Sequence, residues 1–233
     1  MFASPGFRCV MDGLAGARDD LSSAPSVDIA NGAPTGDGAT DVIYRTWVDG
    51  ADATGPGFSP VHVLFSFSTD GGNTWSEPEA VETDGDRGYY SAVAISPDGT
   101  DAWLVYNAFT SEFVDDTTDA RNLVGVMLHT TIGDDGSPDG WTEVHRGADG
   151  DPRASAQNNL VLEFLGDYVY ASALGGYGVA VWNDVRDGAT CDAVDEWRAD
   201  VQGTLSLAGT PEVQQDCDAT FGNTDIFGYT SGP

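Results

Sequence analysis

Along most of this chain apolar and polar residues alternate in short runs, which is the period of a half-buried strand and not of a helix. Such runs fall at 26–30, 43–50, 61–68, 75–81, 91–95, 102–109, 123–130, 141–146, 168–173 and 178–185. Between them lie Gly/Asp turns such as Thr35-Gly36-Asp37-Gly38 and Pro97-Asp98-Gly99-Thr100. Three runs align with one another: Ile43-Tyr44-Arg45-Thr46-Trp47, Ala102-Trp103-Leu104-Val105-Tyr106 and Gly178-Val179-Ala180-Val181-Trp182, each with an aromatic at its fifth place. A shorter strand and a turn precede each, and after the first two come a third strand, a turn and a fourth. That order predicts a four-stranded antiparallel unit repeated about three times. In the run at 61–68, Val61, Val63, Phe65 and Phe67 share one face while Leu64 lies on the other. A strand covered on both sides is what stacked propeller blades provide, and an ordinary β-sandwich is the competing architecture.

The expected fold is therefore all-β, a single β-propeller or partial propeller over residues 1–233, with blades at about 25–85, 90–148 and 166–230. Propellers close with about four to eight blades. Three leave both ends of the ring open, so the chain is expected either to be a piece of a longer protein or to pair with a second copy.

Charge narrows the partners. There are 38 acids against 9 bases, a formal charge of −29, so nucleic acid and anionic membrane are disfavoured as ligands. Aspartate and glycine, both turn formers, dominate, yet 6 Trp, 8 Tyr and 10 Phe supply a core that an acidic disordered tail lacks. No apolar run approaches the roughly 20 residues that span a bilayer, so no membrane insertion is expected. The opening Met1-Phe2-Ala3-Ser4-Pro5-Gly6 has no leader pattern, which reads as a mature chain or a lost start. Acidity of this degree suits a salt-exposed or extracellular setting, or equally a generally acidic proteome.

Cys191 and Cys217 bracket a polar segment with a helix-like stretch at 192–201. A bridge between them would close a loop worth about 3 kcal/mol and imply an oxidising compartment. Cys9 is left over, as a buried thiol or as the partner of a cysteine elsewhere. His62, His129 and His145 fall on or beside separate strands without a second ligand at metal spacing, and the Asp115-Asp116-Thr117-Thr118-Asp119 loop departs from the calcium-loop pattern. No metal and no cofactor is expected.

The turn after the third strand of the first unit reads Ser68-Thr69-Asp70-Gly71-Gly72-Asn73-Thr74-Trp75, which is the S-x-D-x-G-x-T-W pattern of the Asp-box or BNR repeat. Its aspartate can accept from turn N–H groups, its glycine permits positive φ, and its tryptophan plugs the hairpin. The defining residues Ser68, Asp70, Gly72, Thr74 and Trp75 are read as structural. A worn copy runs over 130–141, with Asp134-Asp135-Gly136 in the turn and Trp141 retained. Further along, Gly166-Asp167-Tyr168, Trp182-Asn183-Asp184-Val185-Arg186-Asp187-Gly188 and Asp225-Ile226-Phe227 resemble the last blade of bacterial secreted sialidase-like BNR proteins. Residues 188–222 then read as an insertion in that blade.

This resemblance implies a sialidase-like propeller, secreted, acting on a glycan or glycoprotein as an exo-sialidase-type glycoside hydrolase. Enzymes of that type grip a sugar carboxylate with three arginines, because a planar guanidinium pairs two carboxylate oxygens at once, and use a tyrosine nucleophile. The family's early F/Y-R-I-P motif is absent; Phe7-Arg8-Cys9-Val10 is the nearest string. Arg186, oriented by Asp184, is the leading substrate-binding candidate, with Arg87 and Arg153 in inter-blade connections beside it. Tyr168, Asp167 and Glu163 are the catalytic candidates. Two rivals stand next to hydrolysis: a non-catalytic glycan- or protein-binding propeller that kept the scaffold, and a truncated inactive product.

Overall fold

The computed structural model describes residues 14–15, 25–49, 61–156, 160, 165, 169–201, 204 and 206–232. They form three antiparallel sheets, each a meander in which sequential strands are neighbours. Sheet 1 holds β1 (Ser26–Ile29), β2 (Ile43–Asp49), β3 (His62–Ser68) and β4 (Glu79–Ala80). Sheet 2 holds β5 (Arg87–Ile95), β6 (Asp101–Phe109), β7 (Leu123–Thr131) and β8 (Thr142–Arg146). Sheet 3 holds β9 (Tyr170–Leu174), β10 (Tyr177–Asp184) and β11 (Asp225–Ser231). The all-β expectation holds. The third sheet has three strands among the described residues, where four were expected, and no sheet closes on itself.

Sheet 2 lies between the other two. One core cluster, with Tyr44, Val63, Phe65, Leu104, Tyr106 and Val126, fills the space between sheets 1 and 2. A second, with Tyr89, Trp103, Val105, Phe109, Met127 and Trp182, fills the space between sheets 2 and 3. Every residue of β5 is buried, whereas β2 alternates buried with half-buried and β9 alternates half-buried with exposed.

The aligned fifth-place aromatics keep one geometry. In β6 the first, third and fifth places (Ala102, Leu104, Tyr106) face sheet 1, and the second and fourth (Trp103, Val105) face sheet 3. In β10 the third and fifth, Ala180 and Trp182, face sheet 2. Two glycines make the close approach between sheets 2 and 3 possible. A Cβ on Gly125 would meet the Trp182 ring at 2.1 Å, and one on Gly178 would meet the Trp103 ring at 2.3 Å, so each indole sits over the other sheet's bare backbone.

Between β10 and β11 the chain inserts α1 (Asp192–Val201) and α2 (Val213–Asp216). A third cluster with Leu160, Val194, Trp197, Val201 and Phe221 buries the apolar stripe of α1. The Cys191–Cys217 disulfide ties the start of α1 to the end of α2. Cys9 lies outside the described residues. No helix among the described residues is long and apolar enough to cross a membrane.

Candidate functional site

The two ends of the strands carry different chemistry. At the end where β3 stops, Ser68 Oγ donates to Asp70 Oδ1 at 2.9 Å and accepts from the Gly72 N–H at 2.9 Å. Asp70 also accepts from the Thr74 N–H at 2.8 Å and the Thr74 hydroxyl at 2.7 Å, and the Thr74 bonds hold its carboxyl below the usual carboxylate range. Trp75 Nε1 donates to Gly72 O at 3.1 Å, while the Arg45 guanidinium lies 3.9 Å from its ring centroid. All these bonds stay within one hairpin, so the box spends its polar atoms on shaping the turn. A smaller version closes the β5–β6 turn: Ser96 Oγ donates to Asp98 Oδ1 at 2.8 Å and accepts from the Thr100 N–H at 3.0 Å.

At the opposite end of sheets 2 and 3 five arginines gather: Arg87, Arg121, Arg153, Arg186 and Arg198. The register pairs Arg87 with Phe109, and Phe109 with Leu123, which bridges Gly150. Gly150 in turn lies against the Val185–Arg186 backbone, since a Cβ there would meet Val185 C at 2.5 Å and Arg186 N at 2.6 Å. Arg87 was expected in a connection between units; it is instead the first residue of β5, because the strand starts four residues before the alternating run does. Arg153 does lie in a connection, within a 3-10 turn at Pro152–Ala154.

One local device recurs here. Asp184 accepts from the Arg186 N–H at 3.0 Å and from its Nε at 2.7 Å, with Nη2 on the second carboxylate oxygen. Asp151 likewise accepts from the Arg153 N–H at 3.0 Å, from Nε and, at 2.9 Å, from Nη2. In both Asp-x-Arg clamps the aspartate takes the Nε–Nη2 edge of its arginine, one of the two edges through which a guanidinium grips a carboxylate. Burial opposes the charge on Asp184, yet Arg186 and the Trp182 Nε1–H hold its carboxyl below the usual range. Arg186 also stacks on Phe227 at 4.1 Å, leaving its Nη1 unspent on Asp184.

Arg153 Nη1 continues to Asp195 Oδ2 at 2.9 Å and to Thr118 O at 2.6 Å. Asp195 is buried on α1, and burial pushes its carboxyl up to about 6 against the pull of Arg153 and Arg198. Fully buried Arg198 donates to Leu160 O, Arg153 O and Ser155 O and so docks the helical insertion onto this end. Arg121 lies 3.9 Å over the Phe109 ring and donates to Ser111 O. Asn107 joins the two sheets, donating to Asn183 O at 3.0 Å and Val124 O at 3.2 Å.

The structure thus brings Asp184 and Arg186 together, and sets Arg153 against Asp151 and Asp195. Glu163, Asp167 and Tyr168 lie outside the described residues. The sequence reading gave Asp195 and Asn107 no role and left Arg198 among the arginines expected to be surface ion-pair partners, whereas it is fully buried. For the two clamps a signal was present, since Asp151-Pro152-Arg153 and Asp184-Val185-Arg186 share the Asp-x-Arg spacing. Among the described residues no group of three or more His, Cys, Asp or Glu is placed to hold a metal ion.

Comparison with known proteins finds no family model that matches this chain. A search of curated proteins likewise finds no match.

Proposed function

We propose that the three stacked meanders are consecutive blades of a partial sialidase-like propeller, secreted, whose arginine-bearing end receives an extracellular glycan, and that it binds this glycan without cleaving it. The observation that carries the reading is the pair of Asp-x-Arg clamps. They keep guanidinium groups at the mouth of the stack but occupy the Nε–Nη2 edge of each with the protein's own Asp184 and Asp151, and Arg153 spends its Nη1 on Asp195 and Thr118 O besides, so a three-arginine grip on a sugar carboxylate is not assembled from them. What remains is the Nη1 end of one arginine, Arg186, beside an aromatic face at Phe227. That suits hydroxyl and ring recognition better than charge-stabilised hydrolysis. The disulfide supports the extracellular setting.

Exo-sialidase-type hydrolysis is the second reading, and one observation favours it. Val169, the residue before β9, is buried in the same cluster as Trp182 and Val185, beside the end of β10 at which the Asp184–Arg186 clamp lies. The test combines titration against immobilised sialylated and neutral glycans with release of a fluorescent aglycone from a sialoside. Binding that Arg186→Ala weakens at least about tenfold, without turnover, is the expected result. Turnover abolished by Tyr168→Phe would establish the hydrolase, and neither binding nor turnover would overturn the glycan assignment.

A further inference from the structure

The two ends of the three-sheet stack are open, and they are the two halves of one kind of interface. On β10 the second and fourth places, Val179 and Val181, correspond to Trp103 and Val105 of β6, which carry the next sheet. Here nothing among the described residues is stacked on them. The register puts Tyr170, Leu174, Ile226 and Thr230 on the same face. Leu174 is 70% exposed, Ile226 63% and Val179 40%, and a shallow depression runs between Leu174, Val179 and Thr230. Although the chain carries 38 acids, this face has no charged residue.

At the other end, the first, third and fifth places of β2 are Ile43, Arg45 and Trp47. They correspond to Ala102, Leu104 and Tyr106 of β6, which pack on the preceding sheet. Val27, 64% exposed, and Ile29 share this side. Trp75 lies here too, over Arg45, whereas Trp141 at the matching place of sheet 2 packs 5.1 Å from Phe65 of the preceding sheet. Arg45 Nε is buried without a hydrogen-bond acceptor, an unfinished state for an interior donor.

We infer that two copies of this chain pack head to tail, the open face of sheet 3 in each covering the open face of sheet 1 in the other, so that six sheets surround one two-fold axis. Six lies inside the range of about four to eight at which such rings close. The apolar area exposed on sheet 3 is on the order of 500 Å², as large as the biggest patch a typical monomer leaves in water, and the ring buries two such faces. Each interface continues the stacking already present between sheets 1 and 2 and between sheets 2 and 3. The occupant is a copy of the same chain because one chain supplies both complementary faces, and both are nearly free of the acids that dominate elsewhere. Two bodies of charge −29 still repel through the rest of their surfaces, so the assembly is predicted to tighten as salt screens that repulsion. The arginine-bearing end of each half would then face a common axial mouth.

This inference rests on the blade reading proposed above but not on glycan binding or hydrolysis, and mass alone tests it. Sedimentation velocity and light scattering of the full chain in about 0.1 M and about 1 M NaCl should give twice the 24.4 kDa chain mass, with the dissociation constant at least about tenfold lower at the higher salt. Leu174→Asp and Val27→Asp, both at water-exposed positions, should each give monomers with unchanged circular dichroism. Mixing the two variants should restore a weaker dimer, because one intact interface survives in the mixed pair. A wild-type monomer at both salts would overturn the inference and leave the open faces to blades on a longer chain. A dimer indifferent to Val27→Asp would point to sheet 3 pairing with itself, and open-ended polymers would show that the rotation does not close; either result rejects the two-copy ring.

Discussion

Sheets 2 and 3 share a meander, a repeat register and an aromatic at the fifth place of the central strand, yet one is a core and the other a surface. In β6 both faces are buried, so Trp103 and Val105 on one side and Leu104 and Tyr106 on the other all lie out of water. In β10 the face with Ala180 and Trp182 is buried, whereas on the other face Val179 is exposed and Val181 half-buried. The same pattern of residues thus produces a different environment depending on whether a neighbour is stacked on it. What distinguishes core from surface in this fold is position in the stack, more than the composition of the strand.

The contrast can be broken hardest at its centre. Trp103→Ala removes one of the two indoles between the sheets and opens a cavity over Gly178; urea unfolding should show a loss of about 3–5 kcal/mol. Reduction of Cys191–Cys217 acts first on the helical insertion that joins β10 to β11. About 3 kcal/mol should be lost, with hydrogen exchange rising in α1 and β11 while β5 and β6 stay protected. Equal loosening of both sheets would show them to be one cooperative unit.

Asp184→Asn is predicted to cost about 2 kcal/mol at neutral pH, since it weakens charge-assisted bonds from Arg186. The sign with pH is fixed by the depressed carboxyl. Its contribution is fully present above the ordinary carboxylate range and is lost as pH falls through the lower folded-state value, so the melting curves of wild type and variant should converge in acid. Smallest of all, Leu174→Ala on the open face should shift the stability of a dissociated chain by no more than about 0.5 kcal/mol. A larger loss in the monomer would mean that this face is already covered.

Much of the strand plan was readable because a sheet with one buried face leaves a period-2 trace, and α1 at 192–201 was readable from its composition between two cysteines. The misplaced boundaries have local causes. β4 was expected over 75–81 and occupies Glu79–Ala80, because Trp75 turns back to cap the box and the Ser76 side chain joins Ser66 and the Phe67 N–H. β5 begins at Arg87 because an irregular register between Gly88 and Tyr90 hides its alternation. The site was less legible. Arg198 and Asp195 form an ion pair three residues apart on a helix, a pattern common on solvated surfaces, and only the docking of the insertion buries it. Of the two arginine clamps, Arg153 is spent on the protein's own acceptors through Nε, Nη1 and Nη2 while Arg186 is only half spent, which no spacing of arginines alone can reveal.

The crossed seating of Trp182 over Gly125 and Trp103 over Gly178 gives the molecule its own optical gauge. Both indoles are almost completely shielded and both belong to the same seam, whereas Trp47 and Trp75 are half-wet at the far end of the stack. Any event that pries the last meander from the middle one hydrates two chromophores at once. Its signature would be a red-shifted emission that precedes loss of the far-ultraviolet strand signal.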